Sequence, residues 1–142
     1  MIEPKSFVDT NVLVYAHDKT AGRKRGAARE IPLNQWDSET GVFSTQVFQE
    51  VFVSLTQKIP APIDKKKARA IIEDLCVWEV VVTDEQAVLA AIDLQAKHRL
   101  SFWDSLIIEA ACRSGAQALY SEDLSHGQHV GNLTIVNPFF TG

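Results

Sequence analysis

Cysteine is scarce in this chain: Cys76 and Cys112 are its 2 thiols among 142 residues. So few thiols exclude a disulfide framework, and the absence of any Cys-Cys ligand spacing excludes a zinc-finger module. Both cysteines interrupt apolar patterns, the usual setting of a reduced, buried thiol. The chain also lacks a glycine-rich phosphate loop and the turn that presents a hydrolase nucleophile, which removes two large enzyme classes. No apolar run approaches the roughly 20 residues that a bilayer-spanning helix needs. The start, Met1-Ile2-Glu3-Pro4-Lys5, has neither the basic region nor the apolar stretch of a secretory signal, so a cytosolic setting is expected.

A basic excess is missing as well. Lys and Arg number 14 against 18 Asp and Glu, for a formal net charge of -4. That sign opposes phosphate binding over the whole surface. The objection weakens if the acidic excess is concentrated in one site that a bound metal neutralises, leaving the surrounding Lys and Arg to set the local field. What remains is ordinary: 46% hydrophobic and 23% charged residues, as in soluble globular domains, and a length suited to one domain over residues 1–142.

Short apolar runs alternate with helical patterns. Ser6-Phe7-Val8, Gly41-Val42-Phe43-Ser44, the β-branched stretch Val77 to Val82, Ala118-Leu119-Tyr120 and Leu133-Thr134-Ile135-Val136 read as strands. Between them, helices are expected over Arg23–Trp36, where Pro32 should bend or split the helix, and from Ser44 to Lys58, stopped by Pro60 and Pro62. A further helix follows Asp64 as cap and buries Ala68, Ile71, Ile72 and Leu75. Another, capped by Thr83-Asp84 and running to about Arg99, presents Val88, Leu89, Ile92 and Ala96 as its apolar face. The last starts near Ser101 and ends at Gly115, with Leu106, Ile107, Ala110 and Ala111 buried. Strands this short and apolar, separated by helices, predict an α/β fold with a mostly parallel central sheet of about five strands, covered on both faces. Ligands of such sheets bind beyond the carboxyl ends of the strands.

Acids recur at that edge. Asp9 follows the first strand directly, with Asn11 two residues on, and Asp123 ends the Tyr120 strand in the same way. Asp104 sits in the first turn of a helix, and Glu50 lies off the centre of an apolar helical stripe, facing either solvent or a crevice. Each has an ordinary alternative: Asp9 as a turn cap, Asp104 as the acid of a capping box with Ser101, Asp123 and the adjacent Glu122 as solvated turn residues. Gathered together, the four carboxylates would repel one another and call for a hard divalent cation such as Mg²⁺ or Mn²⁺. His126 and His129 have the look of a metal pair, but their glycine-bearing loop supplies no fixed geometry. His17 and His98 read as surface residues. Of two basic clusters, Arg23, Lys24, Arg25 and Arg29 follow the Asp9 strand closely and are the candidates for phosphate contact, while Lys65, Lys66, Lys67 and Arg69 read as a solvated helix face.

Taken in order, Phe7-Val8-Asp9-Thr10-Asn11, Phe43 through Glu50, Leu100-Ser101-Phe102-Trp103-Asp104-Ser105 and Leu119-Tyr120-Ser121-Glu122-Asp123-Leu124 resemble a PIN-domain ribonuclease of the VapC toxin type. The resemblance implies a three-layer α/β/α fold and an endoribonuclease. It implies that Asp9, Glu50, Asp104 and Asp123 hold one or two Mg²⁺ or Mn²⁺ ions, with Asn11 and Ser121 in support. Ser121 stands where the family often has Thr, which keeps the hydroxyl. A homodimer and a cognate VapB-like antitoxin are implied as partners. The alternatives are a non-catalytic PIN-like module that binds RNA or protein, and a receiver-type phosphoacceptor, which would want a second acid near the first strand and a late strand-end Lys that are not evident.

Overall fold

Buried strands need partners on both edges and cover on both faces, and the chain meets both needs in the order in which it runs. The computed structural model describes residues 4–141, with the backbone alone described at 32–38. Strand β1 (Ser6–Val8) leads into helix α1 (Thr10–His17), and helix α2 (Arg23–Ser38) leads into β2 (Gly41–Ser44). Helix α3 (Thr45–Val53) and α4 (Lys65–Leu75) precede β3 (Glu79–Val81); α5 (Glu85–His98) and α6 (Phe102–Ser114) precede β4 (Ala118–Tyr120). Strands β5 (His129–Val130) and β6 (Leu133–Val136) close the chain.

The sheet has 6 strands in the order β3-β2-β1-β4-β6-β5, parallel except for β5 against β6. The strand beyond the five expected is β5, a two-residue edge strand too short to show a period. It turns into β6 through Gly131, whose φ of 59° suits glycine. The connections β1-β2 and β2-β3 step one way across the sheet, and β3-β4 returns past β1. Right-handed crossovers therefore put α1 to α4 on one face and α5 and α6 on the other, consistent with the packing of α1 on α2 and α3, α3 on α4, and α5 on α6. Phe7, Val8, Val42, Phe43, Leu119 and Ile135 form the core's middle layer, covered by Val12, Leu13, Val47, Val51 and Leu55 and by Ile107, Ile108 and Ala111.

Local chemistry explains the ends. Asp64 caps α4 by accepting from Lys66 N (2.8 Å), Asp84 caps α5 by accepting from Ala87 N (2.9 Å), and Gly115 ends α6 at φ 82°. The predicted helix to Lys58 continues past α3 as a π-helical turn, Ser54–Lys58, with Ile59 N donating to Ser54 O at 3.1 Å. Thr56 Oγ1 donates to Phe52 O (2.8 Å), the kind of side-chain competition that loosens the α-helical ladder. Helix α2 is one element rather than two; a bend at Pro32 lies outside the described residues. No helix among the described residues is long and apolar enough to cross a membrane.

Three expectations are corrected. Cys76 and Cys112 are free but exposed rather than buried. On α4 only Ala68 is fully buried, with Ile71, Ile72 and Leu75 half-buried. On α5 the buried residues are Ala87 and Ala91, whereas Val88, Leu89 and Ile92 are 38%, 56% and 50% exposed and Ala96 is exposed too. The small side chains let α5 approach α6 closely, which rotates the larger apolar residues outward.

Candidate active site

Chain direction reverses across the sheet between β1 and β4, since β1 leads toward β2 and β4 leads toward β6. Such a switch point opens a crevice at the carboxyl ends of the two strands. Val8 pairs with Tyr120, and Asp9 N donates to Tyr120 O (2.9 Å), so Asp9 and Ser121 stand level just beyond the paired residues. The Ser121 hydroxyl, fully buried, donates to Asp9 Oδ2 at 2.9 Å, and Thr10 N donates to Oδ1 at 2.7 Å. Asp9 is thus both the cap of α1 and a member of the crevice; the two readings hold together.

The remaining acids arrive from three other segments. Asp123 lies just past β4, exposed, and accepts a hydrogen bond from Asn11 Nδ2. Its neighbour Glu122 turns away, accepting from Tyr15 Oη (2.8 Å) and pairing with Lys24. Helix α3 starts where β2 ends, at the carboxyl edge, and Glu50 is half-buried along it. Gln46 Nε2 donates to Glu50 Oε1 (3.1 Å) and to Trp103 O (3.3 Å), tying α3 to the start of α6. Because α6 must finish near the entrance of β4, its first turn, with Asp104, lies at the opposite, carboxyl edge. Ser101 Oγ accepts from Asp104 N (3.0 Å), but among the described residues the Asp104 carboxylate accepts no hydrogen bond, so the return half of the capping box is not made.

Electrostatic influence links these side chains in pairs: Asp9 feels Glu50 and Asp123, and Glu50 feels Asp104. Burial pushes Asp9 from 3.8 up to about 6 against the hydrogen bonds from Ser121 and Thr10, and the charges of Glu50 and Asp123 push the same way. Glu50 is raised mainly by burial, with Asp104 adding to it and Gln46 opposing. The Thr10 hydroxyl lies near enough to lower the Glu50 pKa yet makes no hydrogen bond of normal geometry, and it is buried. Gln46 Oε1 is likewise buried without a partner. Sequence reading missed Gln46 and Thr10; the i,i+4 spacing of Gln46 and Glu50 on α3 was the available signal.

Hard oxygen donors and uncompensated negative charge suit a hard divalent cation in kind. The spacing fits less closely: among the described residues no three His, Cys, Asp or Glu side chains stand close enough together to hold a metal ion. The loop histidines are engaged separately, His126 accepting from Asn137 N (3.0 Å) and stacked on Phe140, His129 meeting Thr134 Oγ1 at 3.1 Å. Among the basic candidates, Lys24 is committed to Glu122 and to the faces of Tyr15 and Phe139, 5.0 and 5.6 Å from their centroids. Arg23 is exposed, and Arg25 lies in a separate cleft. His17 lines that cleft and is half-buried rather than on the open surface.

Comparison with known proteins agrees with the fold. The PIN domain family model matches residues 6–128. The VapC20 toxin of Mycobacterium tuberculosis, described as cleaving the sarcin-ricin loop, superimposes with a TM-score of 0.65 at 21% identity, covering 82% of this chain and 88% of that one. A toxin-antitoxin complex from Klebsiella pneumoniae gives 0.70 at 16% identity, with 95% and 98% covered. VapBC2 of Rickettsia felis, solved with a DNA fragment from its promoter, gives 0.63 at 16% identity, with 92% and 96% covered. No curated protein sequence matches. A family match over most of the chain, on a parallel sheet whose switch point lies between β1 and β4, leads to one conclusion: the chain belongs to the PIN-domain family.

Proposed function

We propose that this protein is a divalent-metal-dependent endoribonuclease and the toxin of a VapBC-type pair, acting in the cytoplasm. The observation that carries the reading is Asp9: a buried carboxylate at the switch point, beside the charges of Glu50 and Asp123 and paired with no cation among the described residues. Asp9, Glu50, Asp104 and Asp123 would hold Mg²⁺ or Mn²⁺, and such an ion, when bound, supplies Lewis acidity toward a phosphodiester and lowers the pKa of water. The chain's own residues do the positioning. Ser121 and Thr10 N fix the Asp9 carboxylate, Asn11 fixes Asp123, and Gln46 holds Glu50 against the start of α6. A homodimer and a VapB-like antitoxin complete the reading, supported by structural neighbours that are themselves toxin-antitoxin complexes. The exposed Val88, Leu89 and Ile92 of α5 offer an apolar surface for protein contact.

Paired substitutions at the start of α6 test the site. Asp104→Asn keeps the melting temperature and lowers Mg²⁺- or Mn²⁺-dependent RNA cleavage at least about 100-fold, the upper end seen for groups one step further from a metal. Ser101→Ala loses about 1 kcal/mol of stability with the cap and retains cleavage. Full activity in Asp104→Asn would remove that residue from the site. RNA binding without cleavage by the unaltered protein would favour the non-catalytic module.

A further inference from the structure

Two helices in this fold begin against the usual charge rule. A helix N-terminus carries partial positive charge and is stabilised by acids in its first turn. The first turns of α2 and α4 contain no acid; they open on Arg23-Lys24-Arg25 and Lys65-Lys66-Lys67. The fold concentrates this charge. Arg25 and Arg29 from α2, Lys67 from α4, and His17 and Lys19 at the end of α1 line one cleft of about 310 Å³. Asp64 also borders it, with Oδ1 committed to Lys66 N at 2.8 Å.

Arg25 Nε is buried and has no hydrogen-bond partner. Lys19, Arg25, Arg29 and Lys67 form no ion pair among the described residues. Burial first, and then Arg29, Arg25 and Lys67, hold His17 below the ordinary imidazole value, so at neutral pH it is an uncharged ring with an N–H to donate. A buried, unpaired guanidinium N–H is costly, and its planar fork suits a phosphate. Pro62, Ile63 and Ile71 add an apolar wall of the kind that accepts a sugar or base.

We propose that this cleft is a phosphate-binding site, occupied by a backbone phosphate of single-stranded RNA that lies along α1 from the carboxylate crevice. Helix α1 connects the two places: Asp9 caps its start and His17 ends it, roughly 12 Å apart at 1.5 Å per residue. The RNA as the source of the phosphate rests on the nuclease reading; the anion site stands on the cleft alone. Sequence reading divided the basic residues into a contact cluster and a solvated face, and the structure joins Arg25 and Lys67 from the two.

Fluorescence anisotropy with a single-stranded RNA oligonucleotide, on protein carrying Asp9→Asn so that nothing is cleaved, tests the site directly. Adding Arg25→Gln and Lys67→Gln weakens binding about tenfold and lowers the slope of log affinity against log salt by about 0.7, the value for one phosphate on a single strand. Arg29→Gln, at an exposed residue, repeats the loss without touching a buried group, and Lys97→Gln on the opposite face changes nothing. Inorganic phosphate competes with the RNA and raises the melting temperature of the parent but not of the double variant. Unchanged affinity and slope would overturn the proposal. Phosphate stabilisation without any loss of RNA affinity would overturn the RNA as source, and so would stronger competition by an acidic peptide of equal charge. Binding through the cleft by a protein that never cleaves RNA would fail the nuclease reading and sustain the site.

Discussion

Asp9→Asn abolishes RNA cleavage and stabilises the protein above neutral pH. The first effect, a loss of at least about 100-fold, follows from the proposal that Asp9 is a direct metal ligand, since groups one step removed already cost about 10- to 100-fold. The second follows from burial. Raising a carboxyl from 3.8 to about 6 while keeping it charged at pH 7 costs about 3 kcal/mol in folding stability. Asparagine removes that charge. Its amide oxygen accepts from Thr10 N or from Ser121 Oγ but not fully from both, so a gain of about 1 to 2 kcal/mol remains once the imperfectly replaced hydrogen bond is deducted. A variant that is both more stable and inactive is what a strained site predicts and what a mere helix cap does not, because loss of a cap destabilises. Thermal melts and a cleavage assay on the same preparation decide it; a less stable Asp9→Asn protein that still cuts RNA would return Asp9 to the role of cap.

The pH profile supplies the second large effect. Between 3.8 and about 6 the folded protein binds more protons at Asp9 than the unfolded chain does, so stability falls as pH rises through that window and stays low above it. Glu50, raised mainly by burial, slopes the same way. His17 slopes oppositely, because its lowered value costs stability as pH falls below the ordinary imidazole range. The informative quantity is therefore the difference between the parent and Asp9→Asn, expected to move by about 3 kcal/mol in favour of the variant between about pH 3.5, where the imperfectly replaced hydrogen bond leaves Asp9→Asn the less stable, and about pH 6.5. Millimolar Mn²⁺ or Mg²⁺ at about pH 7.5 restores the parent by about 2.7 kcal/mol when present at 100 times its dissociation constant and leaves Asp9→Asn unmoved. Equal shifts in both proteins would place the ion elsewhere.

Much of the placement of these acids in the fold was legible because the features that set it are local. Ser6–Val8 is too short and apolar to lie anywhere but inside a sheet, so the residue after it must reach the carboxyl edge; the same holds for Tyr120 and the acids that follow. Asp84 and Asp64 capped the helices expected of them, since a cap needs only its own next turn. Asp104 was legible in place but not in role. Its backbone N–H completes the cap with Ser101 while its carboxylate stays unpaired, and spacing alone does not separate the two. Gln46 went unread because its bond to Trp103 O joins helices far apart in the chain.

The apolar face of α5 shows why periodicity stops short. Val88, Leu89 and Ile92 obey helical spacing as well as any buried set, yet Ala87 and Ala91 face inward, because close helix packing favours the small residues and only the neighbouring helix says so.

Taken by itself, the amino-acid order determined the strands other than β5, most of the helices and the sheet edge at which Asp9 and Asp123 emerge, all consequences of forces acting within a few residues. The tertiary structure alone decided that β1 and β4 are neighbours, that Glu50 and Asp123 both press on the charge of Asp9, and that Arg25 and Lys67 meet in one cleft. Those are meetings between distant segments, set by crossover handedness and by how the helices pack, and charge acts through space without regard to separation along the chain.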